Sequence, residues 1–160
     1  MSENLKEKVL RPEIEAASLS AAPPEAAPGT SLAERFGERI WRALHAAAEK
    51  KAADLTVLDL RSIASFTDFF VIATGSNKRQ VQAIADEVVE QLKRQGTRAA
   101  RVEGYQGAEW VLVDYGDFVF HVFDDRARRF YDLERLWREG KRIDVSPGQL
   151  EQNGSLRTKS

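Results

Sequence analysis

A chain of 160 residues, 42% of them hydrophobic, is long enough for one domain with a packed core. A net charge of −1 and a pI near 6.2 lack the basic surplus that neutralises phosphates, which excludes a simple nucleic-acid binder. The absence of cysteine excludes disulfides and thiolate metal sites. No apolar run approaches the roughly 20 residues of a membrane-spanning helix. The N-terminus has no apolar signal-peptide core, so a cytoplasmic protein is expected.

Residues 1–30 are polar and alanine-rich and carry Pro12, Pro23, Pro24 and Pro28. Such a composition cannot bury enough apolar surface to fold, so a disordered N-terminal arm is expected, within which residues 5–10 can form a short helix. A single domain over residues 31–145 follows, and residues 146–160 read as a flexible tail. Ser31 and Glu34 fit a capping box. Leu32, Phe36, Ile40, Leu44 and Ala47 or Ala48 then recur at helical spacing, which predicts one helix to about residue 52. His45 on this helix reads as a surface or half-buried residue.

Residues 54–60 and 68–74 read as strands. The second is almost continuously apolar, which suggests burial on both faces. Residues 77–95 form an amphipathic helix with Val81, Ile84, Ala85, Val88 and Leu92 inward, and Gly96 stands where a left-handed terminating residue is wanted. Residues 98–102 make a weak edge strand. Two strong strands, 110–114 and 117–123, are joined through Tyr115-Gly116. A last helix spans about 126–140, with Asp124 or Asp125 as its cap. The order predicts an α/β fold with a mixed sheet of about five strands and flanking helices.

The Gly75-Ser76 turn, between a strand and a helix, raises the question of a phosphate site. A Walker loop needs a second glycine followed by Lys and Ser or Thr, and a dinucleotide fingerprint needs three glycines; neither pattern is present. A nucleotidyltransferase needs carboxylates on a strand to hold Mg²⁺. Asp86 and Glu87 instead lie side by side within a helix, pointing about 100° apart. The structural reading has Gly75 permitting the turn and Ser76 capping the helix. A nucleotide-binding or nucleotidyltransferase-type enzyme is the alternative. With two histidines and no cysteine, a His-based metal site has little to draw on. Neither a cofactor nor catalysis is expected.

Pairing Asp114 with Asp117 puts Trp110 opposite His121 and Leu112 opposite Val119. Alternation then sorts Val111, Val113, Phe118, Phe120 and Val122 onto one face. Trp110, Leu112, Val119, His121 and Phe123 fall on the other. Both faces are apolar. Either the Trp110 face is an uncovered patch that serves a partner, or the sheet is buried on both sides with Trp110 in the core; the pattern supports both. Residues 124–142 carry five acids and seven bases, which suits a solvated face better than an RNA stripe. An RNA module would use Arg126, Arg128, Arg129, Lys141 and Arg142. Arg128, Arg129 and Tyr131 border the end of the hairpin and suit a protein partner.

In this order and spacing, TDFFVIATGS (67–76), VQAIA (81–85), Glu103-Gly104, WVLVDYGD (110–117), HVF (121–123) and RFYDLERLW (129–137) resemble the ribosomal silencing factor (RsfS, or Iojap) family. The likeness covers about residues 31–145. It implies a nucleotidyltransferase-like scaffold without the metal-binding carboxylates. It also implies a homodimer and a translational repressor that binds the large ribosomal subunit through ribosomal protein fourteen, blocks joining of the small subunit, and touches rRNA at most peripherally. The family's binding-surface tryptophan corresponds to Trp110. Leu112, Asp114, His121, Arg129 and Tyr131 lie in neighbouring matched motifs and share that implied role.

Overall fold

The computed structural model describes residues 5–12, 31–146 and 148–150. Its elements in chain order are α1 (Leu5–Leu10), α2 (Leu32–Phe36), α3 (Glu38–Glu49), β1 (Ala53–Asp59), β2 (Phe69–Gly75), α4 (Lys78–Arg94), β3 (Arg101–Glu103), β4 (Trp110–Asp114), β5 (Phe118–Asp124), α5 (Asp125–Tyr131), α6 (Leu133–Leu136) and β6 (Lys141–Val145). The strands form one mixed sheet in the order β3-β4-β5-β2-β1-β6. β2 and β5 run parallel at its centre, and the other neighbours are antiparallel.

The apolar run in β2 explains its position. All seven of its residues are buried, as a central strand covered on both faces requires. On one face, Val57, Val71, Ala73, Val111, Val113, Phe120 and Val122 meet Ile40, Trp41 and Leu44 of α3 and Val81, Ile84, Val88 and Leu92 of α4. On the other, Leu58, Phe70, Ile72, Leu112, Val119 and Phe123 meet Ile63, Ala127, Leu133 and Trp137. Leu5 and Val9 of α1 complete that second core. Each fully buried aliphatic or aromatic side chain contributes about 1.5–3 kcal/mol, so neither layer is dispensable.

Local chemistry sets the helix ends. Ser31 and Glu34 form the expected reciprocal capping box. The predicted single helix to residue 52 is nevertheless two helices. Gly37 adopts φ 101° and ψ 157°, a conformation open essentially to glycine, and it divides α2 from α3. At the end of α4, Gly96 donates to the Lys93 carbonyl and Thr97 to the Leu92 carbonyl, both at 2.9 Å. That is a Schellman pair closed by a left-handed glycine, φ 91°. Asp124 caps α5 by accepting from the Ala127 N–H at 2.7 Å.

Four further expectations need correction. The sheet has a sixth strand, β6, paired with β1. The predicted last helix breaks at Asp132, which is left-handed at φ 50°. The hairpin register is shifted by two residues, so Trp110 opposes Phe123 and Leu112 opposes His121. The reason is the turn. Tyr115 and Phe118 form the closing pair, with Tyr115 N–H donating to Phe118 O at 2.9 Å, and the central residues are Gly116 and Asp117. Gly116 takes φ 87°, and the Asp117 N–H donates across it to the Tyr115 carbonyl at 3.1 Å, the i to i+2 bond of a γ-turn, whose positive φ glycine reaches without strain. A shift of two leaves every side chain on its predicted face. Finally, at the ends, the short helix allowed at residues 5–10 is present but docked rather than part of a free arm, and Leu150, within the expected tail, is 2% exposed in the first core. The remainder of the arm, 13–30, and of the tail, 151–160, lies outside the described residues.

Candidate partner-binding surface

Trp110 and His121 are diagonal neighbours on one face of the β4–β5 ladder, close enough for long side chains to touch. The Trp110 indole N–H donates to His121 Nδ1 at 3.0 Å. The indole also lies 5.2 Å from the Phe123 ring and 4.7 Å from Tyr131. The Lys6 ammonium stands 4.6 Å from the indole centroid, within cation–π range, and donates to the Trp110 carbonyl at 2.9 Å. His121 is fully buried, and its ring stands edge-on to Phe70 at 4.6 Å. Burial, reinforced by Lys6 and Arg128, pushes its pKa down to about 3. The imidazole is therefore neutral. Because Nδ1 accepts, Nε2 carries the proton, and it has no hydrogen-bond partner among the described residues.

Of the two readings of this face, the structure adopts the covered one. Trp110 is 4% exposed, and Leu112 and His121 are fully buried. The cover comes from α1, residues 60–66, α5 and α6. Asp114 sits at the other end of β4, accepts from the Gly116 N–H at 2.8 Å and faces Arg101 at 3.6 Å. The structure thus brings Trp110, Leu112, His121 and Tyr131 together, and places Asp114 apart. Arg129 is exposed and Tyr131 half-buried.

One surface residue escaped the sequence reading. Phe130 is 77% exposed, and its ring packs edge-on against Tyr131 at 4.9 Å. The signal was present in α5. Ala127 and Tyr131, four residues apart, define the inward stripe, which turns Phe130 to solvent. An exposed aromatic beside an exposed arginine, over a rigid aromatic stack, is the composition of a protein-binding anchor.

Arg128 does not belong to any free basic stripe. It donates to the Asp54 carbonyl (2.9 Å), Thr74 Oγ1 (2.7 Å) and Thr56 Oγ1 (3.2 Å), and its Nε reaches Glu134 at 3.1 Å. A β-bulge in β1 makes this web. The register slips between Ala53 and Thr56, Asp54 takes φ 52°, and its carbonyl is aimed at α5. Arg142 is likewise engaged, with Asp144 at 3.0 Å. Beside them lies an open cleft of about 630 Å³, lined by Arg129, Arg142, Asp144 and Gln149 among others. His45, half-buried as expected, stacks on Trp41 at 5.0 Å.

The Gly75-Ser76 turn is knitted into the scaffold. The cap of α4 is Asn77, whose side chain accepts from the Gln80 N–H at 2.8 Å, not Ser76. The Ser76 hydroxyl and N–H both donate to the Gln80 side-chain oxygen, and Gln80 in turn donates to the carbonyls of Lys50 and Lys51. Gly75 is required by close approach, since a Cβ there would lie 2.9 Å from Val81 Cγ2. Asp86 accepts from the Tyr105 hydroxyl and Glu87 from Gln91. Among the described residues, no three or more His, Asp or Glu side chains gather as a metal site would require. No helix among them is long and apolar enough to cross a membrane.

Comparison with known proteins bears on this arrangement. The family described as "Ribosomal silencing factor during starvation" matches residues 33–160. The chain belongs to the ribosomal silencing factor family. The ribosomal silencing factor of Halalkalibacterium halodurans is 40% identical over 108 residues, covering 68% of this chain and 92% of that protein. That of Bacillus subtilis is 41% identical over 100 residues, covering 62% and 85%. A crystal structure of a Chromobacterium violaceum protein, 37% identical, matches with a TM-score of 0.62 over 68% of this chain and 91% of that one. The silencing-factor match reaches the C-terminus, beyond the expected limit of the likeness at residue 145, and leaves α1 outside.

Proposed function

We propose that this protein silences ribosomes by binding the large subunit through ribosomal protein fourteen and sterically excluding the small subunit, without catalysis. Family membership supports the role. The observation that carries the choice of surface is Phe130, 77% exposed and flanked by Arg129 and Tyr131. Trp110, Leu112 and His121 act from beneath, as the stack on which Tyr131 rests, and Asp114 holds the hairpin end. A cytoplasmic setting and a homodimer belong to the same proposal, with rRNA at most at the periphery. Exclusion by occupancy needs only mass action. A binder present at about 100 times its Kd shifts a competing equilibrium by about 2.7 kcal/mol, roughly a hundredfold.

The test is co-sedimentation with purified large subunits, followed by ribosome profiles at saturating protein. Phe130→Ala is expected to keep the fold and to weaken pelleting about tenfold or more, the range of an interface anchor. Added wild-type protein is expected to shift joined ribosomes toward free subunits. Joined ribosomes that are unaffected by saturating protein would overturn the mechanism. Unchanged pelleting of the folded variant would overturn the surface.

A further inference from the structure

The Trp110 face already has an occupant, and it lies outside the family match at 33–160. Leu5 and Val9 of α1, one helical turn apart, are 8% and 0% exposed. The Leu5 N–H donates to Glu103 at 3.0 Å, the Lys6 ammonium to the Trp110 carbonyl at 2.9 Å, and the Trp137 indole N–H to the Val9 carbonyl at 2.7 Å. Glu103 and Glu109 supply the negative potential that Lys6 meets. Two apolar anchors at i and i+4, a cation over an indole, and main-chain groups satisfied by the groove describe a short helix bound as a ligand.

This occupant is poorly held by its own chemistry. Six residues do not sustain a helix without external packing. α1 is therefore either seated or unfolded, and such an element belongs to the part of a structure that opens most readily. The chain between Leu10 and Ser31 is rich in proline and alanine and lacks large apolar residues apart from Ile14 and Leu19. Lifting α1 would bare Trp110, Tyr131 and Trp137 beside the already exposed Phe130.

We propose that α1 is a built-in lid on a helix-binding groove over Trp110, displaced by a protein partner that presents a basic segment with two apolar side chains one turn apart. That the partner belongs to the large subunit rests on the function proposed above. A lid that is closed most of the time raises the apparent Kd by the reciprocal of the open fraction.

The test uses the full chain with Val9→Asp and, separately, Lys6→Glu, which weaken the seat through different contacts and lie outside the α/β domain. Circular dichroism establishes that each variant is folded. Acrylamide quenching then reads the tryptophans, and co-sedimentation reads affinity for large subunits. Quenching is expected to rise, because Trp110 and Trp137 are 4% and 1% exposed in the closed form, and affinity is expected to rise about tenfold or more. A peptide of residues 1–12 added in trans should reverse the gain. Unchanged quenching in both folded variants overturns the lid. Increased quenching with unchanged or weaker pelleting overturns the competition. If neither wild type nor variants pellet, the ribosomal reading fails and the gating with it, while quenching still decides whether α1 leaves its seat.

Discussion

His121 is a titration reporter for the core. Its folded pKa of about 3 lies below the ordinary 6.5, so the unfolded chain takes up a proton that the native state refuses. The contribution is absent above the unfolded value, and stability falls as pH drops through the window between the two, by about 1.4 kcal/mol per unit. The unfolding free energy from urea titrations should therefore decline by about 2 kcal/mol between about pH 7 and about pH 5 from this group, and His121→Gln should remove that component. A variant with an unchanged pH profile would mean that the imidazole is not held neutral by burial. Trp110 makes the neighbouring lesson. At 4% exposure, Trp110→Ala costs about 3–5 kcal/mol as a core truncation, so its loss of binding would read as unfolding. Phe130 is the cleaner probe, because it is 77% exposed and lies outside both cores.

At the scale of elements, the join between α5 and β1 depends on one guanidinium. Arg128 and Glu134 are 12% and 11% exposed at the side chain, and Arg128 also satisfies the bulge carbonyl of Asp54. Arg128→Met leaves a buried carboxylate and several acceptors unpaired and should cost about 3 kcal/mol, read as a lower urea midpoint. Glu134→Gln, which keeps an acceptor, should cost less. Alternation made the two hairpin faces legible, and an even register shift cannot change them. β6 was not legible, because its apolar face is only two residues, Ile143 and Val145, and a five-residue strand that opens on Lys141 and Arg142 gives too short an alternation to stand out. The break at Gly37 was equally hidden, since the apolar spacing continues across it and only the backbone angle interrupts it.

For the whole molecule, the question is whether the strand–turn–helix at Gly75 binds anything. Its cap and side chains are occupied by Asn77 and Gln80. Calorimetry with ATP or CTP and Mg²⁺ is expected to give no saturable micromolar heat. Saturable binding that disappears on Ser76→Ala would restore the nucleotide reading. The two-sided sheet has a second consequence. Its inner strands are covered on both faces, so any partner must meet the edge strands β3 and β6, the outer faces of the helices or the loops.

The amino-acid order alone determined the strand buried on both faces, the amphipathic helix that follows it (though not its cap), the faces of the ten apolar and aromatic hairpin residues from Trp110 to Phe123, and the family resemblance. All four follow from local periodicity and from motifs that need no knowledge of distant neighbours. Tertiary structure decided what lies over Trp110. The short helix at residues 5–10 was legible, but its seat was not: only the groove between Glu103, Trp110 and Trp137 holds it in place. Burial of a face depends on which segments return to cover it, and that is a property of the assembled chain.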